Sequence, residues 1–261
     1  MAANISGKSV IVTGAANGVG LAIARQFVGK GANVLMVDAD EEKLAAEIEA
    51  LSESPGNAVY FAGDLREKLT VKNLMAATID AFDRVDVLIN ASRQVQASCE
   101  LEADDECFEL MIRQNTIVNM RLSQAVAKRM IAQKEPGAIV NLSSIAVQDC
   151  AADSIAYSVA SAALNQLTRS LAVAYAPHDI RVNTVALGSV MSGSLQSQIA
   201  QEIELRDELV AATPLGRIGE ASEAARAVLF LASSDSSFIT GQVLAVDGGR
   251  SLLGRMDRLA Y

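Results

Sequence analysis

Lys8-Ser-Val-Ile-Val-Thr13-Gly14-Ala-Ala-Asn17-Gly18-Val19-Gly20-Leu-Ala-Ile-Ala-Arg-Gln-Phe27 is the stretch that decides the fold. It opens as a β-branched run, breaks at three glycines and resumes with helical spacing, so it reads as strand, turn and helix. Such a turn lets the backbone approach a pyrophosphate closely and aims the free N–H groups and positive dipole end of the helix at it. Gly14, Asn17, Gly18, Val19 and Gly20 are therefore candidate dinucleotide contacts, with an ordinary tight turn as the alternative. The next strand, Asn33-Val-Leu-Met-Val37, ends in Asp38. That is about the separation at which a carboxylate in a βαβ unit meets the adenosine ribose. Asp38 would accept hydrogen bonds from both ribose hydroxyls and repel a 2′-phosphate. Neither Asn17 nor Ala39 supplies a cation for such a phosphate, so NAD is expected rather than NADP. A strand-end turn carboxylate is the competing reading.

Further strands are expected at Ala58–Ala62, Val85–Ile89, Gly137–Leu142, Ile180–Val185 and Val243–Val246, with helical stretches between them. Apolar strands joined by amphipathic helices imply an α/β fold, a doubly wound parallel sheet with helices on both faces. Ligands then bind beyond the strand C-termini. Gly14, Asp38, Asp64, Asn90, Ser144 and Gly188 all fall at or just past such ends, forming one ledge.

The 261 residues suit one large domain over 1–261, without a linker or repeat to divide it. The 22 basic and 31 acidic residues give a net charge of −9, which argues against nucleic acid or an anionic membrane as main partner. The chain opens without a basic, apolar leader and has no membrane-length apolar run, so a cytoplasmic location is expected. Cys99, Cys107 and Cys150 are too few and too irregular for a disulfide framework or a zinc motif, and no metal is expected. His178, the sole histidine, lies in a polar turn and reads as a solvated loop residue.

These residues resemble the classical short-chain dehydrogenases/reductases from Lys8 to Gly249. Thr13 to Gly20 is similar to the family's cofactor turn, Asp64-Leu65 to its adenine contact, and Pro214-Leu-Gly-Arg217 with Asp247-Gly-Gly249 to its C-terminal signature. The resemblance implies a single Rossmann-type domain in which NAD exchanges hydride with a small carbonyl or its alcohol. It implies Tyr157 as acid/base, Ser144 as substrate anchor and Asn115 as holder of a relay water. Packing of small residues around Tyr157 is the structural alternative. Cofactor contacts extend to Asn90, Gly188 and Ser192, the last two in a loop similar to the one that meets the nicotinamide carboxamide.

Two positions depart from the family. Its lysine, four residues after the tyrosine, is Ser161, which is short and neutral. The glycine two residues past Ala91 is Arg93, which could exclude cofactor, reach inward to replace part of the lost charge, or point to solvent. Segment 189–217 is polar, helical in pattern and long enough to act as a lid. The helices near Arg113–Arg129 and Ser154–Ala176 resemble those of the family's dimer contact, so a dimer or tetramer is expected, and residues 250–261 form either a subunit-crossing or a frayed tail. The expected function is an NAD(H)-dependent oxidoreductase, possible impairment following from Ser161. A non-catalytic scaffold and a lyase or isomerase are the alternatives.

Overall fold

Val10 and Val12 of strand β1 (Ser9–Thr13) pack into one apolar cluster while Ile11 between them packs into another. The same division holds along β2 (Asn33–Asp38), where Val34 and Met36 face one way and Leu35 and Val37 the other. Successive side chains of a strand point to opposite faces, so apolar residues at every position require cover on both sides. Helix α1 (Gly18–Gly29) and a late helix over Ala221–Ala232 supply Ile23, Phe27, Val228 and Leu229 to the first face. Helices α3 (Lys68–Phe82), α5 (Val118–Gln133) and α6 (Ile155–Tyr175) supply Leu74, Leu122, Val126 and Leu171 to the second. The computed structural model describes residues 5–95, 105–148 and 154–253.

The remaining elements are α2 (Glu41–Ala50), β3 (Ala58–Ala62), β4 (Val87–Asn90), α4 (Asp105–Ile112), β5 (Gly137–Ser144), β6 (Ile180–Leu187), α7 (Gly193–Gln201), α8 (Ile203–Ala211), α9 (the Ala221–Ala232 helix) and β7 (Val243–Val246). Among the described residues seven strands pair in parallel, in the order β3-β2-β1-β4-β5-β6-β7. The expected doubly wound α/β sheet is what the chain forms. Its order reverses between β1 and β4, which splays the loops leaving these strands and opens a crevice there.

Strand ends differ from expectation for local reasons. β4 starts after Val85 because the Gln133 side chain occupies that residue's backbone, accepting its N–H and donating to its carbonyl. β5 and β6 run past Leu142 and Val185 because they pair with each other continuously from Gly137–Ile180 to Ser144–Leu187. Among the described residues no helix is long and apolar enough to cross a membrane.

Candidate active site

The loops at the β1/β4 reversal enclose a cleft of about 520 Å³. Its walls include Gly14, Asn17, Gly18, Val19, Gly20, Asp38, Gly188 and Ser192, eight of the expected contacts brought together from three strand ends. The turn works because it lacks side chains. A Cβ on Gly20 would lie 2.0 Å from the Gly14 carbonyl oxygen, so the helix could not seat this close to the strand. A Cβ on Gly18, at φ +54°, would reach to 3.4 Å from Ser192 across the cleft. Asn17 precedes α1 without capping it through its side chain, leaving first-turn N–H groups for an anion. At the other wall the Asp38 carboxylate accepts the Ala16 N–H at 3.1 Å and that of Ala39 at 2.7 Å, which holds it beside the turn. A glycine cradle, a free helix N-terminus and a fixed carboxylate fit a dinucleotide.

The loop after β4 forms the cleft's third side through Ala91, Ser92, Arg93, Gln94 and Val95. It is fixed at both ends. The Thr13 hydroxyl accepts the backbone N–H groups of Ala91 and Ser92, each at 3.0 Å, and donates to the Ile89 carbonyl at 3.4 Å. Asn115 holds the other end, its amide oxygen accepting the Gln94 N–H and its amide nitrogen donating to the Gln94 carbonyl, both at 2.9 Å. Asn115 is buried on a π-helical turn, Arg113–Ile117, between α4 and α5. Such a turn carries an extra residue per loop of helix and is common at functional sites. Gln114 adds a bond to the Ser92 hydroxyl at 3.1 Å. Between these anchors the Arg93 side chain turns inward, and its Nη1 donates to the Tyr157 hydroxyl at 2.9 Å.

Tyr157 lies on α6, 6% exposed, among Cys107, Met111, Ala156 and Ala160. Ser161, one turn on, is also buried, and its carbonyl accepts the Ser143 hydroxyl at 3.3 Å. Ser144 ends β5, where its hydroxyl accepts the Ala146 N–H at 3.1 Å and lines a second groove with Ile145, Val147 and Gln148.

Other expected contacts sit away from the cleft walls. Asn90 is buried beneath them, donating to Ser123 at 3.1 Å and to the Asn141 amide oxygen at 2.8 Å. Asp64 is engaged by the Arg66 guanidinium, whose hydrogen bonds hold its carboxyl below the usual range, while Leu65 packs into the core. Sequence reasoning missed the Thr13 and Asn115 clamps, and Gln198 and Leu209, which α7 and α8 bring to the cleft. The family motif contained Thr13 and Asn115 but did not reveal which backbone groups they hold. Among the described residues no acid, histidine or cysteine cluster could hold a metal. His178 is exposed and Cys107 buried. Cys99, Cys150 and the tail from residue 254 fall outside the described residues.

Residues 14–251 match the sequence model described as "Enoyl-(Acyl carrier protein) reductase". The chain is 36% identical to a glucose 1-dehydrogenase of Gluconobacter oxydans over 254 residues, covering 97% of this chain and 95% of that one. It is 31% identical to an L-rhamnose 1-dehydrogenase (NAD(P)(+)) of a Sphingomonas species, covering 94% and 96%. A 7α-hydroxysteroid dehydrogenase solved with NADH and 7-oxo glycochenodeoxycholic acid superposes with a TM-score of 0.89 at 29% identity, covering 94% of each chain. With sheet, cleft and relatives in agreement, the chain belongs to the short-chain dehydrogenase/reductase family and is an oxidoreductase of that type.

Proposed function

We propose that the protein uses NAD(H) to interconvert a small carbonyl compound and its alcohol, with Tyr157 as the proton-exchanging group. The observation that carries this reading is a single cleft that has Asp38 on one wall and, through Arg93, touches the Tyr157 hydroxyl on another. Bound nicotinamide would supply or accept the hydride. In reduction, the Tyr157 O–H gives its proton to the carbonyl oxygen as that oxygen gains electron density, and the Ser144 hydroxyl hydrogen-bonds the same oxygen. In oxidation the phenolic oxygen takes that proton back. Asn115 supports both directions by holding Gln94, and the Gly14–Gly20 turn and Asp38 seat the dinucleotide. Asp64, Leu65, Asn90, Gly188 and Ser192 complete the proposed set, Asn90 from below the cleft floor.

Asp38 favours NAD over NADP, since its carboxylate would repel a ribose 2′-phosphate. Segment 189–217, through α7 and α8, serves as the lid over the cleft. Exposed Ile155, Val159 and Val173 along α6 and Phe108 on α4 suit self-association into a dimer or tetramer in the cytoplasm. The relatives' dehydrogenase names favour redox chemistry over a lyase, isomerase or scaffold role. Calorimetric titration with NAD⁺, NADH and NADP⁺, then a turnover screen over sugars, polyols and hydroxysteroids, tests the reading. Saturable NAD(H) binding with at least one turned-over alcohol is the expected result, and absence of any dinucleotide binding overturns it.

A further inference from the structure

We propose that Arg93 is the cation that serves Tyr157, delivered from the β4 loop to do for the phenolic oxygen what neutral Ser161 on α6 cannot. The assignment deepens the functional reading and rests on Tyr157 as the group that exchanges the proton. It covers charge at the tyrosine only.

Four observations carry it. First, the contact is direct: Arg93 Nη1 donates to the Tyr157 hydroxyl oxygen at 2.9 Å. A guanidinium stays charged at any working pH and cannot itself accept the proton, so it acts as a fixed charge rather than a competing acid. Its hydrogen bond strengthens as the oxygen gains negative charge, which is the differential stabilisation that assists a proton transfer. Second, among the described residues no carboxylate forms an ion pair with Arg93.

Third, Tyr157 lies almost fully buried in an apolar cluster. A phenolate there without a cation would be costly. Arg93 bonds its hydroxyl from the β4 loop, Ser144 ends the neighbouring β5, and the cluster's titratable member besides Tyr157 is the Cys107 thiol on α4. Fourth, the backbone on both sides of Arg93 is held by the protein's own side chains. Thr13 takes the N–H groups of Ala91 and Ser92, and Asn115 takes both backbone groups of Gln94. A side chain launched from so fixed a segment is preorganised, and needs little reorganisation when charge develops. Arg93 is therefore a positioning and charge-supporting residue acting through Tyr157.

The test reads the tyrosine itself, without cofactor or substrate. Protein labelled with [¹³Cζ]tyrosine carries four tyrosines, and Tyr157→Phe identifies the signal of interest. The expected result is that this signal moves to its phenolate position at a higher pH in Arg93→Gln than in the parent, since the charge beside the phenolic oxygen is gone. Arg93→Lys should fall between them, and Ser161→Lys in the Arg93→Gln background should restore part of the difference. An unmoved or lowered transition in a folded Arg93→Gln protein overturns the proposal. Should that variant fail to fold, Arg93→Lys decides: its shorter reach predicts an upward displacement, and a transition identical to the parent overturns the assignment. Calorimetry with NAD⁺ on the same samples separates the two readings. Failure of NAD⁺ binding with the shift intact removes the functional reading, and intact binding without the shift removes only the role of Arg93.

Discussion

The hydroxyl of Thr13, at the end of β1, accepts the backbone N–H of Ser92 at 3.0 Å, so one strand holds the loop that leaves another. The same oxygen takes the Ala91 N–H, and Thr13 is itself buried. Thr13→Val keeps the shape and removes the acceptor, stranding both donors. The expected loss is about 1–3 kcal/mol of stability, read by urea denaturation, together with weaker NAD⁺ binding as the loop loosens.

Gly20 allows close approach of helix to strand. In Gly20→Ala the new Cβ would meet the Gly14 carbonyl oxygen at 2.0 Å, a backbone atom that cannot swing aside. Helix α1 and the turn must part, at a cost of about 1–3 kcal/mol typical of overpacking. A lowered melting temperature and loss of measurable NAD⁺ binding by calorimetry are expected. A melting temperature equal to the parent's would show that the turn can yield.

Asp38→Asn removes the negative charge and keeps one amide oxygen, so only one of the Ala16 and Ala39 N–H groups, which use different carboxylate oxygens, retains its acceptor. Preference for NAD⁺ over NADP⁺ should narrow by about tenfold, equivalent to roughly 1.4 kcal/mol. Parallel titrations with the two cofactors measure it, and an unchanged ratio would mean that selectivity lies elsewhere.

In a groove that shares Ser189 and Val190 with the cleft, the Arg217 guanidinium and then the Glu220 N–H hold the Glu223 carboxyl down to about 2, from an ordinary value of 4.5. A lowered value in the folded state favours folding fully above the ordinary value, and that advantage disappears as pH falls from 4.5 toward 2. Arg217→Met should therefore melt below the parent near neutral pH, with the gap closing in acid. The effect is modest because the pair faces solvent. A gap that widens in acid would reverse the sign argued here.

Beneath the site a buried polar chain links the sheet to α6. Asn90 donates to Asn141, Asn141 to Thr168, and Thr168 shares a 2.7 Å bond with Thr184. Asn141→Leu leaves the Asn90 amide and the Thr168 hydroxyl short of partners. A loss of about 1–3 kcal/mol is expected, because each group loses one partner while the Asn90 amide keeps Ser123 and the Thr168 hydroxyl keeps Thr184. Thermal unfolding of the variant against the parent gives the value.

Periodicity made the sheet readable. Valines, isoleucines and leucines in unbroken runs specify strands covered on both faces, and glycines at the first strand's end specify what the next helix must approach. Asp38 was readable because strand length and turn length together set where it falls. Arg93 was not. A long side chain has many rotamers, and its inward direction follows from Thr13 and Asn115, residues distant in sequence that clamp the backbone on either side. Asn115 was singled out from the motif, but its attachment to Gln94 depends on the π-helical turn, which has no plain sequence signature. Val85 failed as a strand residue because a single glutamine side chain from α5 occupies its backbone.

The Thr13 bridge to Ser92 joins positions 79 apart, and the Arg93 bridge to Tyr157 spans another 64. During synthesis, therefore, the glycine turn emerges long before the loop that walls it, and that loop waits for α6 before its arginine has a phenol to meet. Such long closures are slow steps in folding, since chain entropy is lost before any contact is gained. The Arg93–Tyr157 contact consequently matures late on the ribosome, after all of β1 to β5 have been made.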